Sequence, residues 1–139
     1  MDSREVTRWF EEYLGAFAAC GRGEAETASL LAHYAVPMLL TTDDGFFALM
    51  TGDQIVAGVQ GQIDGMRAAG FARTEVLSSE VSVVNAKSAL LRGTFAYRNR
   101  GGDEMRRLTV TYLITDGPVG RRISVLAVHP AANGPAARP

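Results

Sequence analysis

The second half of this chain holds four long runs of β-branched and apolar residues, at 72–84, 88–98, 105–115 and 122–128, with no helical segment between them. The links are turn chemistry: Asn85-Ala86-Lys87, Asn99-Arg100-Gly101-Gly102 and Asp116-Gly117-Pro118. Links this short can join only antiparallel neighbours, because a parallel crossover needs about a dozen residues and usually a helix. A doubly wound fold is thereby excluded, and a meander of long strands is predicted.

The helices come first. Val6, Trp9, Phe10, Tyr13, Leu14 and Phe17 recur at three- and four-residue spacing with charged residues between them, which predicts an amphipathic helix with Ser3 as its N-cap and Gly21 and Gly23 at its end. Residues 24–33 restart a shorter helix on Ala28, Leu30 and Leu31. Pro37 blocks continuation, and 37–42 and 46–50 read as a hairpin joined at Asp43-Asp44-Gly45. Thr51 followed by Gln54 matches a capping box, so a third helix starts there and runs to about Ala69. Its Gly58, Gly61 and Gly65 share one face, each costing about 1 kcal/mol relative to alanine. Close approach of this helix to the sheet or to a partner subunit is the expected compensation.

One sheet with every helix on the same side must curl over them, and the hollow between is where a ligand would sit. The fold class is α+β, one domain over 1–130. The last stretch, 131–139, has nothing to bury and reads as a disordered tail. At 139 residues and 47% hydrophobic the chain can build one core unaided. A net charge of −1 supplies no field for gathering phosphates, so nucleic acid is not an expected partner. No apolar run reaches the length of a membrane span, and MDSREVTRW lacks the order of a signal peptide. Cys20 stands alone, with only His33 and His129 beside it, so neither a disulfide nor a metal site is expected, and the location is read as cytoplasmic. No cofactor is implied.

The segments GRGEAETASLLAHYA, Thr51-Gly52-x-Gln54 and TFAYRNRGG…LTVTYLITDG…RRISVLAVHP resemble the NTF2-like superfamily, in particular its SnoaL-like and ketosteroid-isomerase-like branches, from Val6 to Pro130. The resemblance implies a curved antiparallel sheet, a cone-shaped half-barrel, packed on three helices from the N-terminal half. The superfamily includes isomerases, cyclases, dehydratases, transport factors and non-catalytic domains, so the fold alone does not name a reaction. The steroid-isomerase branch implies a carboxylate base at the end of the first strand and two donors for an enolate. Counting from Tyr34 puts the base at Thr42, and counting back from Gly52 puts it at Asp43. The helix donor falls at Phe17, which cannot donate, and the strand donor falls at Tyr112. Asp43 is then the candidate base and Tyr112 the candidate oxyanion donor, although an Asp-Asp-Gly turn uses such side chains for local amides anyway.

Among binding candidates, Trp9, Tyr13 and Phe17 form an aromatic stripe that serves either as a pocket wall or as core. Tyr34, Thr42 and Tyr97 join them. For His129 the SnoaL-like resemblance implies a ring turned into the hollow, and a strand-end histidine bonded to a carbonyl is the equal alternative, while His33 ends a helix whose dipole favours a cation. Strand alternation puts Tyr112 with Val110 and Ile114 on the pocket face. Arg92 and Arg107 either point inward at an anionic ligand or pair outside with Glu75 or Glu80. The function expected is a domain binding a small, largely apolar molecule, working as a homodimer through the outer sheet face; if it is an enzyme, the class is cofactor-independent acid/base chemistry of isomerase, cyclase or dehydratase type. The alternative is a non-catalytic association domain acting through its sheet surface.

Overall fold

A computed structural model describes residues 1–130. The order is α1 (Ser3–Gly21), a 3-10 helix (Thr27–Ala32), β1 (Tyr34–Thr42), β2 (Gly45–Leu49), α2 (Gly52–Ala68), β3 (Phe71–Asn85), β4 (Ser88–Asn99), β5 (Glu104–Gly117) and β6 (Gly120–Val128). The tail expected at 131–139 lies outside the described residues.

The N-cap of α1 is Asp2 and not Ser3: its carboxylate accepts from the Arg4 amide at 2.9 Å, satisfying a free donor where the helix dipole also favours a negative charge. Ser3 is already helical, and its carbonyl takes the Thr7 hydroxyl. The chain leaves α1 through Gly23, whose φ of 78° is left-handed. The second helix is 3-10 over six residues, because no side chain caps its start and one short turn does not sustain an α-helix. Only Leu30 of its three expected apolar members is fully buried. The cap of α2 forms at Thr51 with one difference from a capping box: Thr51 Oγ1 accepts from the Gln54 amide at 3.1 Å, and Gln54 Oε1 accepts at 2.7 Å from the amide of Met50, one residue before the N-cap.

The glycine stripe of α2 is a different matter. A Cβ at Gly58 would meet Leu49 Cδ1 at 3.4 Å, but one at Gly61 or Gly65 would meet nothing within 4 Å. Within this chain, close approach therefore accounts for neither Gly61 nor Gly65.

The six strands form one sheet in the order β2-β1-β6-β5-β4-β3. Every neighbouring pair is antiparallel except β1 and β6, which run parallel from Tyr34↔Ile123 to Thr41↔Ala127. The β1–β2 hairpin thus attaches to the free side of the four-strand meander. Register shifts interrupt the ladder three times in β3, once between Tyr97 and Arg98, once between Leu113 and Ile114 and once between Tyr34 and Leu39 of β1. Each adds local twist, which curls the sheet around the helices. The core lies in that curl, where Val6, Phe10 and Phe17 meet Ile55 and Ile63 of α2 and Leu91, Phe95, Ile114 and Ile123 of the sheet.

Candidate functional site

The apolar face of α1, the middle of α2 and the inner sheet face do not close completely. They leave a chamber of about 220 Å³. Tyr13, Leu14 and Phe17 wall it from α1, Gly58, Val59 and Gln62 from α2. Met38, Leu40 and Thr42 reach it from β1, at the two-residue interval of a strand. From β5 come Arg106, Leu108, Val110 and Tyr112, again alternate residues, and from β6 Leu126 and Val128.

All four tyrosines of the protein line this one chamber. Tyr13 and Tyr34 share a buried O–H···O bond of 2.8 Å, in which either hydroxyl donates. One proton serves the pair, so the accepting hydroxyl keeps a proton to offer elsewhere. Tyr112 makes no hydrogen bond to the described residues, and its oxygen is not sealed from the cavity. Burial raises the affinity of Tyr13, Tyr34 and Tyr112 for their protons well above that of a free phenol, and the neighbouring tyrosines add to it at Tyr13 and Tyr112. Tyr97 is raised as well by burial, with Arg106 and Gln62 opposing. The phenols are therefore neutral donors throughout the physiological range.

Of the residues singled out in the sequence, Tyr13, Phe17, Tyr34, Thr42, Tyr97 and Tyr112 come together on the chamber wall. The one-residue choice at the end of β1 falls to Thr42. Asp43 begins the turn, exposed, while Thr42 Oγ1 accepts from the Asp44 amide at 3.0 Å. Among the described residues, no aspartate, glutamate or histidine lines the chamber. Trp9 lies off the wall, half-buried against His33 with ring centroids 5.5 Å apart, and Phe10 takes the place over the core. His129 does not enter the hollow. Leu126 and Val128 are the inward residues of β6, so His129 falls on the outer face, where its Nε2 lies 2.7 Å from Thr111 Oγ1 and its amide donates to the Thr109 carbonyl. His33 differs from the expected cation too: burial, and after it Arg122, holds its pKa below the usual imidazole value, and its Nδ1 is buried without a hydrogen-bond partner among the described residues.

Neither arginine weighed in the sequence points inward. Arg92 sits in a shallow outer depression with Ser78, Glu80 and Thr94, and Arg107 forms a two-bond ion pair with Glu104 at 2.8 and 3.2 Å. The inward arginine is Arg106. Counting back from Tyr112 in steps of two reaches it, so the signal was present in the strand period itself. No three His, Cys, Asp or Glu side chains gather as a metal-holding group among the described residues, and no helix there is long and apolar enough to cross a membrane.

Among curated proteins, none matches this sequence. Solved structures do match in fold. An NTF-2 like protein of unknown function from Shewanella oneidensis MR-1 superposes with a TM-score of 0.69 at 13% identity, covering 94% of this chain and 100% of that one. A putative calcium/calmodulin dependent protein kinase II association domain from Xanthomonas campestris gives 0.68 at 16% identity, covering 93% and 87%. An NTF2-like protein with a cystatin-like fold from Novosphingobium aromaticivorans gives 0.67 at 18% identity, covering 99% and 86%. At such identities the likeness speaks for the fold alone. The family profile described as NTF2-like protein (DUF6841) matches residues 4–131, nearly the whole length, and the chain belongs to that NTF2-like family.

Proposed function

We propose that this domain binds one compact, largely apolar small molecule carrying a hydrogen-bond acceptor, without acid/base turnover. The observation that carries the reading is the convergence of four neutral phenols on a chamber whose walls hold no acid or imidazole. An engineered apolar cavity of about 150 Å³ binds benzene, so a chamber of about 220 Å³ suits a bicyclic ring system. A protonated phenol has its hydrogen to give, which favours a carbonyl-type partner on the ligand. Binding is preferred over proton abstraction because a general base must stand within hydrogen-bond reach of its substrate, and Asp43 is exposed in the β1–β2 turn. Tyr112 keeps the role of donor to the ligand. The pocket agrees with a SnoaL-like branch, and the lone, buried, unpaired Cys20 agrees with a reducing cytoplasm.

Calorimetric titration with 2-naphthamide is the test. Saturable binding of one molecule per chain is expected, abolished by Leu108→Trp, which grows an indole into the chamber. Folded protein that shows no saturable binding, or binding indifferent to Leu108→Trp, overturns the reading.

A second reading concerns the outer sheet face. Leu39, Phe46 and Leu90 are exposed there, Phe46 by 67%, beside the half-buried Leu113 and Val125. A contiguous apolar face of this kind supports association, and the second occupant we propose is another copy of this chain. The Xanthomonas neighbour described as an association domain fits that use. In sedimentation velocity, the wild type is expected to run as a dimer and Phe46→Glu as a monomer. A wild-type monomer at high micromolar concentration removes the dimer.

A further inference from the structure

We infer that the natural occupant of the chamber is a monoanion, an apolar body bearing one carboxylate that Arg106 holds at the mouth. This rests on the ligand-binding reading above and narrows it to a chemical class. The inward side chains of β5 are hydrophobic or aromatic from Leu108 to Ile114, and the next inward position outward along the strand is a guanidinium. Tyr97 lies directly across the β4–β5 ladder from Arg106, and Gln62 of α2 completes the rim. The same three side chains also line a second, shallower groove along Gly61, Gly65 and Met105, so they stand where the interior meets solvent.

No described residue at that junction neutralises the charge. Among the described residues, neither hollow has an acidic side chain on its wall. Glu104, two residues away on the strand, is held by Arg107, and Glu75 is held by Arg98 at 2.7 Å. Among the described residues Arg106 has no carboxylate within ion-pair distance. A cation at the rim of an apolar chamber lowers the cost of bringing an anion to that rim, and it acts through a less screened path than a charge in open water. The planar guanidinium fork matches the two oxygens of a carboxylate, with the Gln62 amide and the Tyr97 hydroxyl as further donors. The competing explanation is an ordinary solvated surface arginine, since Arg106 is exposed.

The two are separated by comparing 2-naphthoate with 2-naphthamide, which share a shape and differ in charge at neutral pH. The wild type is expected to bind 2-naphthoate about tenfold more tightly or better, as a charge-assisted bond requires, with the preference shrinking as salt is added. Arg106→Gln should bring the affinity for 2-naphthoate down to that for 2-naphthamide, Arg106→Lys should keep part of the preference, and Arg92→Gln on the outer face should keep all of it. Equal affinities in the wild type, or a preference that survives in Arg106→Gln, overturns the anion while the chamber reading stands on 2-naphthamide alone. If neither probe binds the wild type, both fall together.

Discussion

Above about pH 10 this domain is expected to lose stability steeply and unfold, at a pH set by its tyrosines. In the unfolded chain a phenol ionises near pH 10. In the folded chain burial, chiefly, keeps Tyr13, Tyr34 and Tyr112 protonated well beyond that point. Below pH 10 both states hold these protons and the stability contribution is present in full. Above it the unfolded chain releases protons that the folded chain retains, so each of the three removes about 1.4 kcal/mol per pH unit, or about 4 kcal/mol together by pH 11. Against a total of about 5–15 kcal/mol for a domain, that slope is enough for cooperative unfolding about one to four pH units above the onset. Phenolate absorbance and far-ultraviolet circular dichroism, followed together against pH, check it. Because every tyrosine of the chain faces the chamber, the two signals should move as one transition. A gradual rise in phenolate from pH 10 with circular dichroism unchanged would mean that the hydroxyls reach bulk water in the folded state, and the chamber would then be far wetter than its walls suggest.

What the sequence discloses about this molecule is divided by range. The turns at Asn85 and Asn99 and the capping residues at Thr51 are local chemistry, written in adjacent residues, and the elements they delimit appear where those residues put them, whereas β5 runs on through Asp116 and Gly117 and the last turn falls at Pro118-Val119. The inward face of β5 is also local, since alternation from Val110 through Ile114 needs no knowledge of a partner. The parallel pairing of β1 with β6 joins segments nearly ninety residues apart and leaves no local mark. The same distinction runs through the site. Tyr13, Tyr34, Tyr97 and Tyr112 are apolar enough in bulk to declare themselves as interior. The direction of a polar residue at an element's end depends on where the twist has carried it, which is why Asp43 stays in the turn and His129 bonds Thr111 outside. Trp9 and Tyr13 are four residues apart on α1, about 40° apart around the helix, and only the later residue reaches the hollow. Arg106 stands at a count of two from Tyr112 on the inner face, and Arg107, one residue on, takes the outer face and pairs with Glu104.

Phe95→Ala is expected to cost about 3–5 kcal/mol, the range for deleting a buried aromatic. Phe95 is 1% exposed, and its ring stacks on Phe10 with centroids 6.1 Å apart. It also lies back across Gly93, two residues earlier on the same face of β4, so that a Cβ at Gly93 would run into the ring. Glycine is a poor strand residue on entropic grounds, and here the ring supplies what the missing side chain does not. Gly93→Ala alone should therefore destabilise by about 1–3 kcal/mol through overpacking, since the ring, wedged against Phe10, has little room to yield. In the Phe95→Ala background the obstacle is gone, and the same Gly93→Ala change should be neutral or stabilising. Urea unfolding of the four proteins closes the cycle, with a coupling of about 1–3 kcal/mol expected between the two sites. Strictly additive effects would show that the glycine serves some other end. The cycle also bears on the chamber, because Phe10 stands edge-on to Tyr112 at 4.8 Å while Phe95 itself is not on the wall. If the stack is what holds Phe10 in place, Phe95→Ala should weaken 2-naphthamide binding without touching the ligand, and a folded Phe95→Ala protein with wild-type affinity would mean that Tyr112 is held by the sheet alone.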